Sequence, residues 1–450
     1  MSIKDAVLSF SSRDDILNAV NSESKVMTRA ITVDNLTGKE NKTNYILSLT
    51  DKVQPNDPML NEVSADEKKI ILEEGMTYYD MYGCEDYIPS ESFAKLLNSN
   101  REIQLKDSVY KITEYGTLRA DTDNRAKLEI AYEVLKNDST IALKAEPFIP
   151  VVKGVELHPL EKVDYLEEQR VGTRTVASDL PTSTFKHYSA ESKTVLGKIL
   201  GSIFGDRSVK HHEFTNNRRV NGSLYSYDYL VYSETGCLVS MSKKRGGFFR
   251  FINGWKDIDA DELFMQYRGI VLEMNLNVPQ GFLPPVPANK KPEVVSYSDL
   301  CIQGLDHVYH NTVDIIGYNI KEKDLYKFIG QGSKQLFNLL EGWLGNPQSL
   351  EQRFGVNGQV PAVRILTPDK VYVVIPDDIY NPKNTKQYRK VFSSGVKFYI
   401  SITNGQLGWS DFLKSVQGAK NLPVKKLIGG EVLLAGKLDG KWGGMFIKKD

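Results

Sequence analysis

Apolar positions recur along this chain at two periods, and the switches between them mark out its elements. Residues 13–20 read as a helix with Ser11 or Ser12 as its cap, followed by a polar stretch and a short strand at Tyr45–Leu49. Ser64-Ala65-Asp66-Glu67 fits a capping box. Behind it Ile70, Ile71, Met76 and Tyr79 keep a helical period, which predicts a helix over about 65–80 closed by Gly83. Pro89 and Ser90 open a shorter helix with Phe93, Leu96 and Leu97 on one face, and Asn98–Asn100 stop it. The period then falls to two in Glu102–Leu105 and Ser108–Thr113, which flank Lys106-Asp107 as a hairpin with a two-residue loop would. A helix at about 124–135 follows, and Pro147 and Pro150 mark the exit.

From about 151 to 280 the pattern is strand-like and rich in tyrosine. Tyr225, Tyr227, Tyr229 and Val231 alternate onto one face, and Cys237, Val239 and Met241 repeat this after a turn at Glu234-Thr235-Gly236, an antiparallel meander with a large aromatic surface. Asp259 with Glu262 fits the cap of a short helix through Tyr267, with Gly269–Met274 returning as a strand. Pro284, Pro285, Pro287 and Pro292 exclude a central strand or helix and predict a stiff connector. Beyond it the spacing predicts an amphipathic helix at Lys334–Leu344 and strands at Ala362–Ile365, Val371–Ile375 and Val396–Ile402. A helix at Asp411–Val416 under Ser410 and a closing hairpin follow, the latter pairing Glu431–Lys437 with Trp442–Lys448 about Asp439-Gly440.

The expected architecture is multidomain α+β, antiparallel sheets with short packed helices. Its parts are an N-terminal α+β domain (1–150), a strand-rich tyrosine-rich domain (151–280), the connector (281–293) and a C-terminal α+β domain (294–450). Length agrees with several cores, since 450 residues exceed the roughly 250–300 at which one core stops growing.

Composition narrows the setting. The hydrophobic share of 41% and charged share of 25% are those of a folded globular chain. Lys+Arg and Asp+Glu are both 57, a neutral balance that argues against nucleic acid as the main partner. Neutrality together with 23 Tyr and 18 Phe favours assembly with other subunits. Cys84, Cys237 and Cys301 lie far apart and suggest neither a disulfide framework nor a cysteine-rich zinc site. Lys4, Asp5, Arg13, Asp14 and Asp15 interrupt the apolar run a secretory leader would need, and no stretch is long and apolar enough for a membrane span.

Candidate chemistry is sparse, and the expectation is a protein without enzymatic activity, cofactor or metal. Cys301, His307 and His310 come nearest to a ligand cluster, because His at i and i+3 share a helical face, yet no fourth ligand is near and a solvated loop is the simpler reading. In His211-His212-Glu213 adjacent residues of a strand point apart. Asp257, Asp259 and Asp261 begin like a calcium loop, but Glu262 stands where the sharp turn needs Gly and Arg268 where a closing Glu belongs. Gly330-Gln331-Gly332-Ser333-Lys334 lacks the residue order of a phosphate cradle, and Ser240 with Lys243 sit on opposite faces of a strand. The segment Lys243, Lys244, Arg245, Gly246, Gly247, Phe248, Phe249, Arg250, Phe251 mixes cations with aromatics and is the expected protein-contact loop.

The stretch Asp86–Asn98 (DYIPSESFAKLLN), followed by Arg101–Leu105 and by Val109–Thr113 up to Gly116 and Thr117, resembles a module recurring in exported proteins of Bacteroidales. That module shows a "FasLLN" helix, a "GEIQVGD" strand and a "VYKIT" strand; Arg101 stands here for its first Gly and Leu105-Lys106 for its Val-Gly. Arg218–Val220 to Tyr225, Lys243-Lys244 and Gly254-Trp255 look like the strand-rich second half of the same proteins. Related modules look to occur in virion tail and tail-muzzle proteins of crAss-like phages of these bacteria. The resemblance brings no catalytic residue. It implies a structural virion protein in a symmetric tail assembly, located in the virion and contacting copies of itself and other tail proteins. The alternative it implies is a binding protein of the bacterial surface or periplasm, of unknown ligand, whose leader has been removed.

Overall fold

The structure is a computed structural model that describes residues 6–21, 46–144, 146, 148–162, 165–167, 180–190, 205–207, 209–245, 254–275, 293–304, 307–316, 338, 340–342, 352, 362–367, 370–395 and 426–449. It is multidomain α+β, with short helices and predominantly antiparallel sheets. Contacts divide the chain into two units. One comprises 1–161 with 228–232 and 244–256; the other comprises 162–227, 233–243 and 257–450.

In the first unit, helix Arg13–Asn21 starts as its sequence dictates: the Asp15 amide donates to Ser12 Oγ (3.2 Å) and the Ser12 amide donates back to Asp15 Oδ2 (2.9 Å). The capping box Ser64–Glu67 likewise opens helix Ala65–Glu73. This helix does not run to residue 80. Gly75, at φ +62, closes it by donating to the Leu72 carbonyl (3.2 Å), and Met76 donates to the Ile71 carbonyl (3.0 Å). Ile71 and Met76 are both buried, the apolar contact that accompanies this kind of stop. Thr77 and Asp80 then form a second box that starts a separate turn, Tyr78–Met81. Of the short strand expected at 45–49, the described part holds only an isolated bridge, Ser48 to Asn98.

Ser90 caps the helical turn Glu91–Ala94, and Phe93, Leu96 and Leu97 are all buried. The hairpin has the register expected of a two-residue loop: Glu102 faces Lys111 and Leu105 faces Ser108. Its strands lie in a six-stranded sheet of order 9–10, 102–105, 108–113, 116–121, 155–159, 149–152, in which only the first pair is parallel. Helix Lys127–Asn137 lays Leu128, Ala131 and Leu135 on Val109, Leu118, Ala120, Ile149, Val155 and Leu157. Each large apolar side chain so covered contributes about 1.5–3 kcal/mol.

In the second unit two sheets pack face to face. One contains strands Val209–Thr215, Arg218–Asp228, Ser233–Lys244 and Gln387–Gly395. The other is eleven-stranded and centred on Ala260–Asn275, which pairs with Lys370–Ile375 on one side and Lys426–Leu438 on the other. Val220, Leu224, Cys237, Val239 and Met241 meet Leu263, Met265, Tyr267, Val432, Leu434 and Met445 in one core.

Three local expectations are corrected here. Residues 260–267 are strand, not a capped helix: the alternation Leu263, Met265, Tyr267 faces the core, and neighbouring strands satisfy the backbone on both edges. A bulge between Arg268 and Val271 then shifts the parity, so Ile270 and Leu272 join the same core. The tyrosine hairpin turns at 229–232 and not at 234–236; Asp228 Oδ1 accepts from the Leu230 amide (2.9 Å), Leu230 sits at φ +68, and the Tyr229 amide donates to the Tyr232 carbonyl (2.9 Å). Tyr229 and Val231 therefore leave the strand. His307 and His310 lie in strand His307–Ile316 and Cys301 in strand Glu293–Gly304, so neither a solvated loop nor the helix on which an i, i+3 pair shares a face is present there.

The strands at 362–366 and 370–375 and the closing hairpin, with Asp439 at φ +52 and Gly440 at φ +73, match their sequence patterns. The loop Gly330–Lys334, strand Val396–Ile402, helix Asp411–Val416 and connector residues 281–292 lie outside the described residues. Of the helix at Lys334–Leu344 only 338 and 340–342 are described, and these are helical.

A Cβ on Gly236 would lie 2.4 Å from the Lys390 carbonyl oxygen and 2.8 Å from Tyr225 Oη. Gly236→Ala is therefore expected to lose about 1–3 kcal/mol, read as a lower urea midpoint. Lys106 holds φ +53 at the hairpin turn, so Lys106→Gly is expected to leave stability equal or to raise it by up to about 1 kcal/mol in the same assay.

Candidate functional site

The residues singled out as a protein-contact loop are only partly described. Lys243 and Lys244 end their strand and Arg245 follows it; Phe248, Phe249, Arg250 and Phe251 lie outside the described residues. Within the first unit Lys244 Nζ stands 6.0 Å from the centre of the Trp255 ring. Arg245 is ion-paired with Glu74, its Nε donates to the Trp255 carbonyl (3.3 Å), and its amide donates to the Gly254 carbonyl (2.7 Å). Its charge is thus engaged inside the unit.

A dense polar constellation in the first unit lies elsewhere, around Arg101. Asn98 ends the preceding helical turn by accepting, through Oδ1, from the amides of Asn100 (3.0 Å) and Glu102 (2.8 Å). The chain then reverses through Arg101 at φ +63. The Arg101 guanidinium is 1% exposed and lies between two phenol rings, 4.1 Å from the centre of Tyr82 and 4.7 Å from that of Tyr132. Nη1 donates to Tyr87 Oη (2.9 Å) and Glu114 Oε2 (3.3 Å), and Tyr132 Oη donates to Glu114 Oε1 (3.1 Å). On the same side Lys111, also buried, donates from Nζ to Glu129 (2.9 Å) and to the Asn100 carbonyl (3.0 Å). Arg125 closes the group on the buried Glu102 at 2.6 Å.

Electrostatics around Arg101 disarm the reactive groups. Burial pushes the Cys84 thiol up to about 12, against the pull of Arg101, while its Sγ donates to Tyr87 Oη (3.2 Å). Burial likewise raises the Tyr82 phenol to about 12 and holds Tyr87 well above its usual range. Near neutral pH the thiol and phenols are uncharged donors and acceptors, and what the arrangement accomplishes is to hold a buried cation in place.

Aromatic side chains continue this interior. Phe93 stacks between Tyr229 and Tyr232, with centroids 5.1 and 4.8 Å away, and Tyr229 Oη donates to the Tyr87 carbonyl (2.6 Å). Tyr225 and Tyr227 in the second unit are buried too, so the tyrosines of this region fill the interior instead of forming the displayed surface their alternation suggests. Tyr225 Oη donates to the buried Glu234 (2.6 Å), which also accepts from Arg389 (3.3 Å). Asn221 Nδ2 donates to Ser240 (2.9 Å) and Ser242 (2.6 Å), and Ser242 donates to Asp257 (2.8 Å).

His212 is buried and its Nδ1 meets the Gly444 backbone, whereas His211 Nδ1 bonds Asn221 Oδ1 (2.8 Å); the two imidazoles take different partners, as neighbours on a strand must. Among the described residues no three of His, Cys, Asp and Glu converge as metal ligands, and no helix is long and apolar enough to cross a membrane. A shallow depression of about 530 Å³ is lined by Arg119, Asp121, Val151, Lys153 and Glu156, with Arg119 paired to Glu156 at 3.0 Å.

In the sequence Arg101 stands out only as a departure from the module's glycine. The legible signal was a cation at a turn with Tyr82, Tyr87 and Tyr132 nearby in the chain, but nothing in the spacing brings those rings together. Comparison with protein-family models, curated proteins and solved structures finds no match to this chain.

With its thiol raised to about 12, Cys84 ionises to only about one part in ten thousand at pH 8. Cys84 is expected to stay unmodified by a thiol-specific reagent in the folded protein and to react promptly in urea, as peptide mass spectrometry would record.

Proposed function

We propose that this chain is a structural protein of a phage virion, a subunit of a symmetric tail or tail-muzzle assembly that works through protein–protein contacts and catalyses no reaction. The observation that carries the reading is a coincidence of backbone and sequence. Arg101 and Lys106, at φ +63 and +53, occupy the two positions at which the resembled module carries Gly. Left-handed backbone is what Gly adopts without steric cost, so the local path that explains glycine in the module is kept here with other residues.

A second line of support is the use made of the reactive side chains. In the first unit Cys84, Tyr87, Arg101 and Lys111 are buried and bonded to one another or to neighbouring acids. Such an interior suits a rigid building block. Its partners would be further copies of itself and adjoining tail proteins in a closed, symmetric contact.

Peptide mass spectrometry of purified phage particles is expected to recover the chain in stoichiometric amount, with light scattering of the isolated protein giving a defined oligomer. Its absence from particles sinks the proposal. A secretory leader encoded directly upstream would favour instead the binding protein of the bacterial envelope.

A further inference from the structure

Helix Lys127–Asn137 is held on the first sheet by an apolar stripe and by one polar edge, and that edge has an unusual charge balance. The Tyr132 ring has three cations near it: Arg101 at 4.7 Å, Lys111 at 5.5 Å and Lys136 at 5.5 Å. Three carboxylates answer them, Glu114 for Arg101 (3.3 Å), Glu129 for Lys111 (2.9 Å) and Glu133 for Lys136 (2.8 Å). The two sets are not equally buried. Arg101 and Lys111 side chains are 1% and 3% exposed, while Glu114 and Glu129 are 32% and 60% exposed. Protons from solvent therefore reach Glu114 and Glu129 while Arg101 and Lys111 stay confined, and the third pair, Lys136 with Glu133, is exposed on both sides.

We propose that this helix is an acid-released cover: protonating Glu129 leaves Lys111 buried without its carboxylate partner and next to Arg101, the helix lifts, and the apolar face of Val109, Leu118 and Leu157 is laid open. The other titratable groups facing the cluster do not offset this. Tyr82, Tyr87 and Cys84, from the segment below, are neutral across the acid range. Glu102 is committed to Arg125, and Glu62 and Tyr115 stand beside Lys136 and Tyr132 at the outer end.

The direction follows from linkage. Burial raises Glu129, but the Lys111 ammonium overcomes it and holds the carboxyl below its ordinary value of 4.5. A depressed carboxyl stabilises the fold above that value, and the contribution is lost as pH falls through the folded value. Burial and the charge of Arg101 pull Lys111 below its ordinary range, so its charged form is already disfavoured and becomes more so once Glu129 is neutral. The release window is therefore below about pH 4.5.

The test is hydrogen–deuterium exchange of the full chain from pH 7 to pH 3, each pH normalised to the unfolded chain. Peptides covering 127–137 are expected to lose protection at least about tenfold, while peptides of the hairpin 426–449 stay protected. Lys111→Met removes the confined charge and should move the midpoint to lower pH; Glu129→Gln should weaken protection already at pH 7 and flatten its pH dependence. Lys95→Met, at an exposed pair with Glu91 (2.9 Å), should change neither. Loss of protection in both regions at one pH, or a midpoint unmoved in both Lys111→Met and Glu129→Gln, overturns the proposal.

Discussion

A guanidinium taken out of water needs acceptors and ring faces in water's place, and the first unit gathers these around Arg101, bonding its Nη1 and covering the ion with two phenol rings. Tyr82 and Tyr132 supply the faces, Tyr87 and Glu114 the acceptors, and together with Arg101 itself these groups come from four separate stretches of chain. Each stretch is fixed in turn by its own local device: the Thr77–Asp80 box before Tyr82, the Asn98 turn before Arg101, the hairpin that leads to Glu114, and the helix that carries Tyr132. Removing Glu114 would leave the guanidinium buried without its carboxylate, which costs more than the lost contact alone.

The second unit solves a different problem with different means. Its core is built from long strands and needs few polar contacts inside, so register carries most of the specificity. The central strand Ala260–Asn275 keeps one face on the core over its length only because the bulge near Gly269 resets its parity. On the strand pair at 218–244, the face away from this core is polar and buried, with Asn221, Ser240 and Ser242 bonded in series and Glu234 shared by Tyr225 and Arg389. Such networks are worth their desolvation when every member is satisfied.

What could be read from sequence divides along physical lines. Helix caps, the two-residue hairpin at Lys106-Asp107 and the Asp439-Gly440 turn are local, so Ser64, Ser90 and their neighbours announce them directly. Asp259 and Glu262 also look like a cap, yet pairing on both edges of 260–275 outweighs a local preference that is small per residue. The turn at 229–232 was hidden because its left-handed residue is Leu230, a type that rarely signals one, while Glu234-Thr235-Gly236 looked more like a turn than it is. Arg101 was legible as a position and not as a role: its importance depends on rings brought from elsewhere in the chain.

The aromatic sandwich at Phe93 has a consequence for how the molecule is made. Tyr229, which donates to the Tyr87 carbonyl, lies 142 residues further along the chain. During synthesis the helix, hairpin and sheet that precede residue 161 emerge first and complete their local hydrogen bonds, but Phe93 must wait for Tyr229 and Tyr232 to leave the ribosome before its two faces are covered. The nascent first unit therefore passes through a stage with an open aromatic slot, a period in which a chaperone or a neighbouring nascent chain has access to a surface that the finished protein no longer shows.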